Sequence, residues 1–335
     1  MVAGAHPEWL AQVEEDVLEP DLRIIDPHHH LWDYPDSRYL LDELLTDIGS
    51  GHNVVGTVFV ECAAMYRADG PDALKPVGET EFVNGIAAMG ASGGYGAARP
   101  AAGIVSFADL TLGASVGEVL DAHIAVTPRF KGIRHAAGWD ASPEVRNSHT
   151  RPIEHLYSDK AFREGFAELD RRNLSFELWQ YHPQLPEATD LARAFPNTTF
   201  ILDHFGGPLG VGPYEGNRDE IFARWREDIA EMAALPNVTA KLGGLVMAVN
   251  GFGFNKREIP PTSDELVAAT RPWYEHAIES FGAERCMFES NFPVDKVSTS
   301  YRVLWNSFKK IAAGCSAAEK AALFHDTAAR VYRLD

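Results

Sequence analysis

Three consecutive histidines, His28 to His30, follow the apolar run Leu22–Asp26 in "IIDPHHHLWD". Crowded imidazoles are costly, because protonating one disfavours protonating its neighbours. If the run before them is a strand, side chains alternate, so His28 and His30 share one face and His29 takes the other. Two imidazoles on one face at the end of a buried strand are half of a metal site. A surface histidine tract is the plainer reading. Other chemistry-bearing residues recur behind apolar runs: Glu61; Arg134 and His135; Glu177 to His182 in "ELWQYH"; His204 in "LDHFGGP"; Glu289 and Asn291 in "FESNFP". Imidazoles, carboxylates and one guanidinium are the groups that acid–base or metal-assisted hydrolysis needs.

Eight short apolar runs position these residues, and each is read as a strand. They are Leu22–Asp26, Val54–Glu61, Ala101–Phe107, Phe130–His135, Leu174–Gln180, Thr198–His204, Val238–Gly243 and Arg285–Asn291. Amphipathic stretches lie between them, such as Asp159–Asn173 and Asn217–Leu235, with Asp159 and Asn217 expected as N-caps. Eight alternations of strand and helix argue for parallel βα units closed into a (β/α)8 TIM barrel, an α/β fold. An open doubly wound sheet would show a Gly-rich first turn, and the first strand here runs into histidines instead. In a barrel the C-terminal strand ends converge on one mouth, so histidines at several of those ends meet there. Residues 1–21 are expected to form an N-terminal extension, and 22–335 the barrel.

The chain has 335 residues, 45% hydrophobic and 23% charged, as in a soluble globular enzyme. Its formal charge of −18 opposes binding to nucleic acid or to an anionic membrane surface, so the expected partner is a small-molecule substrate. A homo-oligomer is open. Cys62, Cys286 and Cys315 are too few and scattered for a disulfide framework. With no signal peptide and no run of about 18 apolar residues, the expected compartment is the cytoplasm.

Taken together, "DPHHHLWD", "FKGIRH", "QYHPQL", "LDHFGGP" and "FESNFP" resemble the amidohydrolase-related family. That (β/α)8 group includes 2-pyrone-4,6-dicarboxylate lactonase and sugar lactonases, and the motifs run in the family's order from about residue 22 to the end. The resemblance implies that His28 and His30 match the first-strand pair, His182 the fifth-strand histidine and His204 the sixth. It implies metal ligation by His28, His30 and His182, with zinc expected first, manganese second, and a metal-free site as the remaining alternative. The family's last strand usually ends Gly-Ser-Asp-Trp-Pro. Here it reads Glu289-Ser290-Asn291-Phe292-Pro293, so an amide stands where the proton-accepting aspartate would be.

An amide is no useful base at neutral pH. Three routes remain: Glu289 supplies the carboxylate, Asp295 reaches back from the following loop, or the reaction needs no base there. Glu289 could equally be a barrel carboxylate paired with Lys241 or Arg134. His204 is cast as a group that polarises the scissile carbonyl or relays a proton. Arg134 is a candidate for binding a substrate carboxylate, or else an internal partner of Glu61 or Glu177. Trp32, Glu61 and Trp139 complete the expected substrate contacts.

Two long segments, Ala136–Asp159 with Trp139, Arg146, His149, Arg151 and His155, and Asn250–Thr262, read as covers over the mouth. The leading expectation is a hydrolase opening a lactone of a small carboxylate-bearing substrate. A metal-dependent non-oxidative decarboxylase and a catalytically retired binding barrel are the alternatives.

Overall fold

The chain is described by a computed structural model covering residues 6–334. Eight parallel strands form one sheet in sequential order: β1 (Arg23–His29), β2 (Asn53–Val60), β3 (Arg99–Ser106), β4 (Phe130–Arg134), β5 (Ser175–Leu178), β6 (Phe200–Leu202), β7 (Val238–Leu242) and β8 (Cys286–Phe288). The sheet closes into a barrel where His29 lies opposite Phe292. There the His30 N–H donates to the Phe292 carbonyl at 2.8 Å and the Asn291 N–H to the His28 carbonyl at 3.0 Å. The seam is thus made by candidate site residues themselves.

One helix follows each strand: α1 (Leu41–Ile48), α2 (Val77–Ala91), α3 (Val116–Val126), α4 (Lys160–Asp170), α5 (Leu185–Ala194), α6 (Arg218–Ala233), α7 (Ser263–Phe281) and α8 (Tyr301–Ile311). Both faces of the strands are buried, which is why they read as continuous apolar runs rather than alternating ones. Inside, Ile25, Val58, Val60, Val105, Ile201 and Met287 fill the floor together with Val331 and Tyr332 from the C-terminal segment. A larger apolar layer joins the outer strand faces to the helices. Gly132 marks a tight strand contact: a Cβ there would lie 2.2 Å from Ser175 Oγ.

All eight expected strands are present, with two informative differences. β6 ends at Leu202 and β8 at Phe288, so His204, Glu289 and Asn291 sit beyond the strands. Strand parity therefore does not govern Asn291, whose φ is +54°. Asp159 caps α4 by accepting from Phe162 N at 2.9 Å. Asn217 makes no side-chain cap on α6; its amide instead donates to the Pro213 carbonyl at 3.2 Å.

The long loops after β4 and β7 are present, broken only by one 3-10 turn in the first and two in the second. Residues 1–5 of the expected extension lie outside the described residues. The remainder runs along the barrel, with Trp9 donating to the Arg257 and Glu258 carbonyls at 3.1 Å and Glu15 accepting from Ser263 N at 2.7 Å. Among the described residues no helix is long and apolar enough to cross a membrane.

Candidate active site

Two positions just past strand ends build the centre of the mouth. β6 leads into a turn in which His204, Phe205, Gly206 and Gly207 all have positive φ. A left-handed backbone at two non-glycine residues costs about 1–3 kcal/mol each and is kept only where the surroundings enforce it. The Trp225 indole holding the Phe205 carbonyl at 2.7 Å is one such enforcement. Gly244, with φ +75°, leaves room for the His204 ring, since a Cβ there would lie 2.5 Å from its Nδ1.

His204 Nδ1 meets Glu289 Oε1 at 2.6 Å. Glu289 Oε2 lies 2.8 Å from His28 Nδ1, close but not aligned as a hydrogen bond. One buried carboxylate thus spans two buried imidazoles whose ring centroids are 4.4 Å apart.

Two cations, Lys241 and Arg134, stand among four carboxylates around this group. Lys241, from β7, places its ammonium 2.6 Å from Glu177, 3.2 Å from Asp203 and 3.2 Å from His28 Nδ1. Below it the Tyr332 hydroxyl donates to Glu177 at 2.6 Å. Arg134 donates from Nε to Glu61 Oε1 at 2.8 Å and from Nη2 to the Glu61 carbonyl at 2.7 Å. Its Nη1 lies 3.4 Å from both Asp203 Oδ2 and His28 Nε2. Lys241 and Arg134 therefore pair with Asp203, Glu177 and Glu61, while the groups Glu289 touches directly are imidazoles, with the Lys241 charge further off.

Burial pushes the Glu289 carboxyl up, but His204 and His28 outweigh it and hold it at about 2. The same contest leaves Glu61 at about 2, with His149 and then Arg134 overcoming burial. Burial, and next the Lys241 charge, lower His28.

Two sets of buried donors are compact enough for a cation, each with ligand atoms within 4.8 Å: His28, His204 and Glu289, and His28, Glu177 and Asp203. The second already surrounds the Lys241 ammonium. The first pairs two imidazole nitrogens with a carboxylate that makes no direct ion pair with a lysine or arginine, and that donor set fits a divalent ion.

Asp295 is buried beside this set. Asn291 Nδ2 donates to its Oδ1 at 3.1 Å, and its Oδ2 has no hydrogen-bond partner. Burial raises this carboxyl well above the ordinary range, the Asn291 amide opposing and the Glu289 charge adding to the shift.

The expected residues are only partly brought together. His28, His204, Glu289, Asn291 and Asp295 converge. His30 stands beside them, its ring centroid 4.9 Å from that of His28, with Nδ1 on the Val60 carbonyl at 2.8 Å and its face stacked on Trp32, whose indole is held by Ser37. His29 points the other way, to Thr57 Oγ1 at 2.8 Å.

His182 is not part of either donor set. Its Nδ1 accepts from Leu209 N at 3.2 Å and its ring packs on Tyr214. Trp139 is half-buried in the loop after β4, where its N–H donates to Gln184. Sequence reasoning passed over Asp203 and Tyr332. Asp203 was legible only as the neighbour of His204 in "LDHFGGP", and Tyr332 gave no local signal because the fold carries it from the far terminus.

A parallel barrel with a buried imidazole–carboxylate group at its mouth defines a barrel hydrolase of the amidohydrolase superfamily. The amidohydrolase family matches residues 25–334, and the chain belongs to it. An uncharacterized protein, y4mH, of Sinorhizobium fredii is 35% identical over 94% of this chain and 99% of its own. An L-fucono-1,5-lactonase of Burkholderia multivorans is 28% identical over 92% of this chain and 96% of its own. A solved amidohydrolase from Burkholderia multivorans with bound zinc superposes with a TM-score of 0.72 at 26% identity, covering 93% of this chain and 99% of that one. Of the activities left open by the sequence, hydrolysis is the one these relatives support.

Proposed function

We infer that the protein hydrolyses a small lactone at the His28–Glu289–His204 group. The observation that carries this reading is the single carboxylate spanning two imidazoles, in a chain similar over most of its length to an L-fucono-1,5-lactonase. His28, His204 and Glu289 would hold one divalent ion, zinc by likeness to the Burkholderia amidohydrolase, which would draw charge from the lactone carbonyl and make a water easier to deprotonate.

Asp295 takes the role that Asn291 cannot fill. A carboxylate is a stronger base the higher its pKa, so Asp295, which burial raises, suits the role better than Glu289, which His204 and His28 hold down. Asn291 fixes Asp295 through Oδ1 and leaves Oδ2 to take the proton of the attacking water. The water oxygen bonds to the carbonyl carbon, the ring C–O bond breaks, and Asp295 returns its proton to the departing oxygen, giving a hydroxy acid. Lys241 and Arg134 anchor the surrounding carboxylates so that Glu289 stays on the two imidazoles.

Proton release from a panel of five- and six-membered lactones tests this. Turnover by the native protein, lost in His28→Ala and lowered about 100-fold or more in Asp295→Asn, is expected for a positioned base. An Asp295→Asn variant as fast as the native protein removes Asp295 from the mechanism, and no turnover on any lactone removes the reading.

A further inference from the structure

Arg134 is spent. Its guanidinium is divided among Glu61, Asp203 and His28, so a substrate carboxylate could bind it only by displacing an internal partner. The loop after β4 carries cations in the opposite condition. Arg146 and Arg151, with Asn147, Ser148, His149 and Pro152, line an open cavity of about 450 Å³. Among the described residues neither guanidinium makes a hydrogen bond or an ion pair. Ser148 Oγ is buried without a partner. Asn147 uses its carbonyl oxygen on Asp140 N at 2.8 Å, which leaves its amide N–H groups as donors.

Two acids that border this loop from within, Glu61 and Asp140, are engaged, while Glu144 and Glu154 in the loop itself are exposed and pair with neither arginine. Glu61 is bound by Arg134 and by His149 Nε2 at 2.9 Å, and Asp140 accepts from Tyr214 at 2.7 Å and from Ser142 N at 2.8 Å. Tyr181 fixes the loop by donating to the Arg146 carbonyl. His149 joins the cavity to the catalytic group, because it touches Glu61, Glu61 holds Arg134, and Arg134 reaches His28.

Arg146 and Arg151 line the same cavity with no acid bound to either, and an anion there would accept charge-assisted, bidentate hydrogen bonds. In a chain of net charge −18 such a local positive wall is also what an anionic ligand needs in order to approach. We propose that this cavity is the subsite for a carboxylate group carried by the substrate, held by Arg146 and Arg151. The preferred substrate class is then a carboxylate-bearing lactone, not a neutral one. The word lactone rests on the function proposed above; the carboxylate subsite does not.

Calorimetric titration with glutarate, and with glutaramide as the uncharged control, separates the two. Native protein binds glutarate and not glutaramide, and the affinity falls as salt rises. Arg146→Met and Arg151→Met each weaken glutarate binding about tenfold or more, the scale of one charged hydrogen bond, and the double variant abolishes it. Both side chains are exposed, so an unchanged melting temperature shows that the variants fold.

Equal glutarate binding by the native and double-variant proteins overturns the proposal, as does a native protein that binds glutaramide equally well or binds neither. No turnover is read. A protein that binds glutarate through these arginines yet opens no lactone would refute the lactone reading alone, and lactone turnover without that binding would refute the subsite alone.

Discussion

The barrel mouth and the loop above it use cations in opposite ways. At the mouth, Lys241 and Arg134 are buried and paired with Glu177, Asp203 and Glu61. In the loop after β4, Arg146 and Arg151 are exposed and unpaired among the described residues. A buried cation without a partner is costly, so each barrel cation is bound to the framework and serves to place other groups. A solvated cation pays no such penalty and can wait for a ligand. On the proposed reading the contrast divides labour: chemistry in the paired interior, recognition in the unpaired loop.

That contrast can be broken at its strongest point by Glu289→Gln. The variant removes the charge between His28 and His204, and kcat should fall by about 1,000-fold or more, the scale of a lost electrostatic or metal-binding group. Near-native kcat would show that the centre lies elsewhere.

Next in size is the pH profile. Asp295 must be deprotonated to accept a proton, so kcat/KM should rise with pH through an apparent pKa well above 3.8, the acid limb reflecting its burial. In Asp295→Asn the residual activity should lack that limb, and an unchanged limb assigns it to another group.

Stability should separate the two regions directly. Arg134→Met leaves Glu61 and Asp203 short of a buried partner and should cost about 3–5 kcal/mol in denaturant unfolding. Arg151→Met should fall within about 0.5 kcal/mol of native, as exposed substitutions do. Equal losses would erase the distinction.

The smallest effect concerns how the loop is held. The Glu61 charge, opposed by burial, raises His149 above its usual 6.5. A raised histidine contributes its stability fully below 6.5, and the contribution is lost as pH rises through the folded value. Limited proteolysis between residues 146 and 155 should therefore speed up as pH climbs above 6.5 in the native protein, and show no such trend in His149→Gln.

The barrel was legible because each strand, buried on both faces, is a plain apolar run bounded by turn residues. The same burial hid the strand ends. Parity placed His28 and His30 together and His29 apart, as the structure has them. It does not extend to Asn291, whose left-handed backbone lies beyond the strand and whose amide is held on Asp295. Asn217 looked like a helix cap because residue type alone was visible, while its amide finds Pro213.

Lys241 illustrates a deeper limit. A lysine inside "VTAKLG" could be offered as the partner of a barrel carboxylate, but not of Glu177, Asp203 and His28, which come from β5, the turn after β6 and β1. Contacts made only by closing the barrel have no local signature. His182, matched by motif position, has Nδ1 held by Leu209 N, and spacing could not reveal that either.

The most direct test of which histidines form the working centre is the metal content per chain, by elemental mass spectrometry on untagged native, Glu289→Gln and His182→Ala proteins. The account predicts about one divalent ion in the native protein, lost in Glu289→Gln and kept in His182→Ala. Metal lost in His182→Ala but kept in Glu289→Gln, or none bound by the native protein, would contradict it.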